Sequence, residues 1–260
     1  MDFLLLAGMG AIAGVLAGLL GIGGGIVIVP VLALVLTGQG ASVHVVMQVA
    51  IGTSLATIVT TALSSIRAHQ KRNAIDWQVF RRITPGVMIG AVIGAIIADA
   101  IPGTTLRIVF AFFMLFVATQ MAYDRTPAPH RQLPQRRGML VAGTLIGTVA
   151  SMMGIGGGSM SVPFLTWCNM QVRNAVATSA AIGLPIAIAG AISFIVTGWG
   201  HPELPPWSFG YVNLPAYAGI VVASTLFAPL GAALAHRLAP RTIKRIFAVF
   251  LVVLAVKMLT

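Results

Sequence analysis

Apolar runs of about 20 residues, separated by short polar or basic stretches, fill this chain from end to end. The first extends from Phe3 to Leu36 and is interrupted by Gly21, Gly23, Gly24 and Gly25, with Pro30 beyond them. As one straight helix it would measure about 50 Å against a hydrocarbon core of roughly 30 Å, so the glycines and the proline mark a break. Thr37 to Ser42 is a polar turn, and a second run covers Val45 to Ile66 with Gly52, Thr53 and Ser54 inside it. A basic connector follows, from Arg67 through His69, Lys71 and Arg72 to Arg81 and Arg82, with Trp77 placed as an interfacial anchor. The third run, Ile83 to Ala98, sets Gly86, Gly90 and Gly94 on one helical face, a spacing that lets another helix approach closely. After a turn at Asp99 to Thr104, the fourth run reaches Met121.

The pattern then starts again. Residues 123–137 carry Pro127, Pro129, Pro134 and four arginines and read as a linker. Beyond it come a glycine-broken fifth run, Gly138 to Trp167, and a sixth, Ala175 to Val196. A loop at the membrane surface, Thr197 to Pro215, precedes the seventh and eighth runs, Ala216 to Ala235 and Ile243 to Leu259. Gly21-Ile22-Gly23-Gly24-Gly25 with Pro30 returns 133 positions on as Gly154-Ile155-Gly156-Gly157-Gly158 with Pro163. Thr53-Ser54 returns as Thr178-Ser179, and Ile101 to Phe110 parallels Leu238 to Phe247. Three matches in one order indicate an internal duplication. The expected fold is therefore all-α: a polytopic membrane protein of about eight transmembrane helices in two repeated four-helix halves. Those halves are residues 1–122 and 138–260, joined by the basic, proline-rich linker at 123–137. Duplicated halves are the usual plan of secondary transporters.

Composition agrees with lipid as the surrounding solvent. Of 260 residues, 58% are apolar and 8% charged, where soluble domains carry about 25% charged residues. The net charge of +11 does not point to nucleic acid, because the bases lie in connectors, as expected beside anionic lipid. With eight ordinary crossings, the side holding both termini receives ten of the sixteen Lys and Arg residues, which places both termini in the cytoplasm. The basic connector between the last two runs opposes this. Connectors 67–82 and 197–215 also differ in charge character, and this hints at inverted halves with an odd number of crossings each. The apolar N-terminal run outlasts a signal peptide and reads as the first span. A single cysteine, Cys168, allows neither an intrachain disulfide nor a thiolate metal cluster.

The paired glycine segments are the sharpest candidate site. Gly21, Gly23, Gly24, Gly25 and Pro30, with Gly154, Gly156, Gly157, Gly158 and Pro163, loosen the helix and free backbone N–H and C=O groups. Such groups persist at membrane depth only where protein or a watery cavity satisfies them, and N–H groups at half-helix starts suit an anion. Close packing alone is the competing reading. Thr53, Ser54, Thr178 and Ser179 offer hydroxyl donors at matching places, although such residues also bond their own helix backbone. Asn174 and Gln48, just before those pairs, could add amide donors. No acid lies deep in a span, so a buried carboxylate relay or a sodium cage is not expected; a coupled proton would ride on the substrate, His69 or Asp99. The five histidines lack ligand spacing, no Lys-Ser or Lys-Thr follows the glycines, and no catalytic triad is visible. Hence no metal, no cofactor and no enzyme activity are expected.

These motifs together resemble the sulfite exporter TauE/SafE family of membrane permeases. The likeness rests on Gly18 to Gly25 with Pro30, Gly154 to Gly158 with Pro163, the two Thr-Ser pairs, and the connector Arg67, His69 and Asn73 to Trp77. The resemblance implies a multi-pass permease of the bacterial inner membrane that moves a small anion such as sulfite, a sulfonate or a related organosulfur compound, commonly outward. It leaves proton or ion coupling and homo-oligomer formation open. An anion channel lined by the same glycines, or a non-transporting scaffold or assembly protein with a packed centre, are the alternatives. Ser159, Met160 and Ser161 stand where the first half has Ile26, Val27 and Ile28, so the halves are expected to contribute unequally.

Overall fold

The computed structural model describes residues 24–123, 132–237 and 240–259; Gly21 and Gly23 lie outside them. The described chain is mainly helical. Helices α1 (Gly25–Gly38), α2 (Val46–Gln70), α3 (Trp77–Ala100) and α4 (Gly103–Tyr123) precede the linker. After it come α5 (Arg136–Met152), α6 (Gly158–Trp167) and α7 (Val172–Thr197). A two-residue hairpin of β1 (Ser208–Phe209) and β2 (Val212–Asn213) then leads into α8 (Leu214–Arg237) and α9 (Pro240–Leu259). Among the described residues, α2, α3, α4 and α7 are long and apolar enough to cross a membrane. Large side chains such as Phe112, Phe116, Leu145 and Val249 stand exposed on the outside, a surface fit for lipid.

Helix boundaries run past the apolar edges for local reasons. α3 starts six residues before Ile83 because the Asp76 carboxylate caps it, accepting from Gln78 N and Val79 N at 3.0 Å each. α2 continues past Arg67, whose cation suits a helix C-terminus. The fifth apolar run, expected as one broken span, is two helices, α5 and α6, divided at 153–157.

Contacts fix the helix directions. Gly86, Gly90 and Gly94 of α3 lie against the carbonyl groups of Leu140, Thr144 and Thr148 of α5, and Gly143 and Gly147 lie against those of Ile83 and Val87. Numbers rise together, so α3 and α5 run parallel, backbone on backbone. In α2 and α7 they rise oppositely: Gly52 meets Phe194, and Leu55 meets Gly190, so this pair is antiparallel. Gln48 Nε2 donates to the carbonyl oxygens of Ala98 (3.3 Å) and Ile101 (3.0 Å), which sets the start of α2 beside the end of α3.

α6 reverses against α7. Its start, at Gly156 and Gly157, lies beside Gly183 and Ile186, whereas its end is a short turn away from Val172. α1 treats α2 the same way, with Gly25 touching Ile58 and a short turn joining Gly38 to Val46. With 14 and 10 residues, α1 and α6 measure only about 21 and 15 Å. Each therefore runs from mid-depth to one surface.

Two faces result. On one, the α2–α3 connector meets the start of α7, where Arg173 Nη2 donates to the Arg72 carbonyl at 3.5 Å. On the other, the α1–α2, α3–α4 and α7–α8 connectors converge. There Ser42 Oγ donates to the Glu203 carboxylate, Gly103 packs on the His44 carbonyl, and Tyr211 OH donates to Asp99 Oδ1 at 2.8 Å. Burial, and then the hydrogen bond and charge of Asp99, hold the Tyr211 phenol protonated well above its ordinary range.

Candidate functional site

α1 and α6 begin alike. Gly24 (φ 64°) and Gly157 (φ 75°) are left-handed residues at the N-cap, a conformation that costs glycine little and other residues more. Neither helix start has a side-chain cap. The first N–H groups, those of Gly25 and Ile26 in α1 and Gly158 and Ser159 in α6, therefore have no helical acceptor. Pro30 and Pro163 stand at the sixth residue of each helix and donate nothing to the carbonyls of Ile26 and Ser159 four residues earlier. Each segment thus frees donors and an acceptor within one turn.

The α1 start meets the turn that leads into α6. Gly25 packs directly on the Gly154 carbonyl and the Ile155 Cα, leaving no room for a Cβ. Gly154 (φ 64°) lies between Val29 and Ile51, and its carbonyl accepts a 2.8 Å hydrogen bond from Ser54 Oγ. Gly156 sits between Ile58 and Gly183. Gly24, Gly25, Pro30, Gly154, Gly156 and Gly157 are buried, and Gly158 and Pro163 are half-buried. Ser161 is fully buried on the first turns of α6, with Oγ close to Gly157 and without a hydrogen-bond partner. Ser151 and Ser179 are buried and unpartnered too.

The threonines serve another purpose. Thr53 Oγ1 accepts from Asn213 N, and Thr178 Oγ1 accepts from Asp76 N, each at 2.9 Å. Asp76 caps α3, and Asn213 caps α8 by accepting from Ala216 N at 3.0 Å. Each Thr-Ser helix therefore holds the helix start that follows the other one. Thr53 precedes Ile58 by five residues and Thr178 precedes Gly183 by five, so in antiparallel helices the two bonds fall on opposite sides of the junction. Gln48 is spent on the α3 end, although its Oε1 is unpartnered, and Asn174 is half-buried in the first turn of α7.

A family model described as "Sulfite exporter TauE/SafE" matches residues 6–258. The chain belongs to the TauE/SafE family. A "Probable membrane transporter protein" of Haemophilus influenzae is 38% identical over 252 residues, covering 96% of this chain and 95% of the relative. Relatives in Bacillus subtilis and Methanocaldococcus jannaschii, also named as probable membrane transporter proteins, are each 27% identical. They cover 100% and 99% of this chain and 98% and 97% of their own lengths. No solved structure matches the chain. The TauE/SafE family is one of membrane transporters rather than enzymes.

In this TauE/SafE protein the structure brings the two glycine segments together with Ser54, and it turns Thr53 and Thr178 toward the connectors. Asp76, Asn213 and the Tyr211–Asp99 bond escaped the sequence reading. The first two could have been found, because Asp76 and Asn213 are separated by the same 137 positions as Ile101 and Leu238.

Proposed function

We propose that this protein is a secondary permease that moves a small anion, sulfite or a sulfonate or related organosulfur compound, across the bacterial inner membrane. The anion binds where α1 and α6 begin. One observation carries this reading: the uncapped start of α1 packs, at a buried junction, on the turn that opens the uncapped α6, and each helix is started by a left-handed glycine. Freed N–H groups at two positive helix ends attract an anion without the desolvation cost of a buried lysine or arginine. Ser161 adds a hydroxyl that nothing else uses, where α1 offers only Ile28. The halves at 1–122 and 138–260 are read as a duplication about this junction, with 123–137 as the linker, and alternating access opens it to each side in turn.

The test is flux of radiolabelled sulfite in proteoliposomes, with competing small anions and with the pH gradient collapsed. Saturable, sulfite-competed flux that falls in Ser161→Ala supports the carrier, and loss of flux without the pH gradient assigns proton coupling. Flux that grows without saturation makes the junction a pore. If folded protein moves no anion of the panel, the anion reading fails.

A further inference from the structure

Lysine and arginine, placed on the two faces of the helix bundle, separate almost completely. The α2–α3 connector and the first turns of α3 carry Arg67, Lys71, Arg72, Arg81 and Arg82. α4 starts on the opposite face, beside His44, and its 21 residues are enough to end on this one. The helix that follows, α5, therefore starts here as well, with Arg136 and Arg137 in its first turn. Arg173, at the start of α7, bonds the α2–α3 connector directly. α8 starts at the opposite face next to Asn213 and spans 24 residues, so its end and the start of α9 add Arg237, Arg241, Lys244 and Arg245. Of the fourteen bases among the described residues, twelve share one face. Only Arg107, in the second turn of α4, and Lys257, at the end of α9, belong to the other.

Eight ordinary crossings would put only eight of those fourteen on one side, and the difference has one structural cause. α5 runs parallel to α3 and starts on the basic face, but α6 turns back toward that same face. The α5–α6 pair is thus a re-entrant hairpin that adds no crossing, and every connector after it changes sides. Connector 198–213 moves to the poor face, and the α6–α7 and α8–α9 turns move to the basic one. The counterpart helices α2 and α7, which carry the two Thr-Ser pairs, then cross in opposite senses, as their antiparallel contacts require.

We infer that the described helices form an inverted repeat, α2 to α4 against α7 to α9, with three full crossings in each set. Its α2–α3 face lies in the cytoplasm against anionic headgroups, and the end of α9 lies on the opposite side. Cationic connectors are retained on the cytoplasmic side during insertion and are attracted to the anionic leaflet there, so a twelve-to-two division among the described residues orients the bundle. This holds whichever solute the junction takes.

Single cysteines in a Cys168→Ala background test it, with a membrane-impermeant maleimide applied to spheroplasts before and after lysis. Lys71→Cys and Gly38→Cys serve as references, because both topologies place them alike; Arg173→Cys and Trp207→Cys decide. All four positions are exposed. Trp207→Cys should label to the same extent before and after lysis, and Arg173→Cys at least tenfold more after lysis than before. The converse result, Arg173→Cys outside and Trp207→Cys inside, restores eight crossings and overturns the inference. So does labelling of Lys71→Cys and Arg173→Cys from outside, which would turn the basic face outward. Gln171→Cys and Phe209→Cys, also exposed, replace any variant that fails to accumulate.

Discussion

Ser161 and Thr178 show how differently two buried hydroxyls can be employed. The Ser161 hydroxyl has no partner, so Ser161→Ala removes nothing the fold uses. Thermal unfolding in detergent should stay within about 0.5 kcal/mol of wild type, while sulfite flux falls several-fold. Thr178→Val, nearly the same shape, withdraws the acceptor of Asp76 N and should cost about 1–3 kcal/mol, with Thr178→Ser restoring most of it. Tyr211→Phe gives up the phenol bond to Asp99 and should lower stability by about 1 kcal/mol in the same measurement. The sequence marked Thr53 and Thr178 by repetition, but repetition says nothing of partners. Their acceptor role depends on backbone N–H groups 160 and 102 residues away.

Between elements, the contact of α3 with α5 is the tightest part of the fold. Glycines of both helices leave room for the neighbouring carbonyls, so each approach depends on a missing side chain. Gly90→Leu should prevent stable assembly, visible as aggregation in size-exclusion chromatography, and even Gly90→Ala should lower the melting temperature. Gly38→Ala is the control: a Cβ there meets nothing, so stability should hold or rise slightly. The Gly86, Gly90 and Gly94 stripe was legible from its four-residue spacing; its partner was not, because Gly143 and Gly147 lie across the linker. Helix starts were the less legible ends. Asp76 extends α3 six residues into polar sequence through two hydrogen bonds that hydropathy does not register.

At the scale of the whole molecule, the short α6 decides how the chain is threaded. A reporter fused after α9 should follow from it: alkaline phosphatase active and green fluorescent protein dark, where eight crossings would reverse both readings. The antiparallel α2–α7 pair places the Thr53 and Thr178 bonds on opposite sides of the glycine junction.

Hydropathy by itself determined the membrane setting, the helical class and most of the helix centres, because lipid leaves the backbone no other way to satisfy its polar groups. The repeated glycines, prolines and Thr-Ser pairs located the junction without its geometry. Tertiary structure alone decided whether the broken fifth run crosses or returns. Both choices bury the same apolar residues and need the same glycines. What separates them is the direction of ten residues against α7, fixed by Gly156 and Gly157 lying beside Gly183 and Ile186, contacts between positions that no local pattern links.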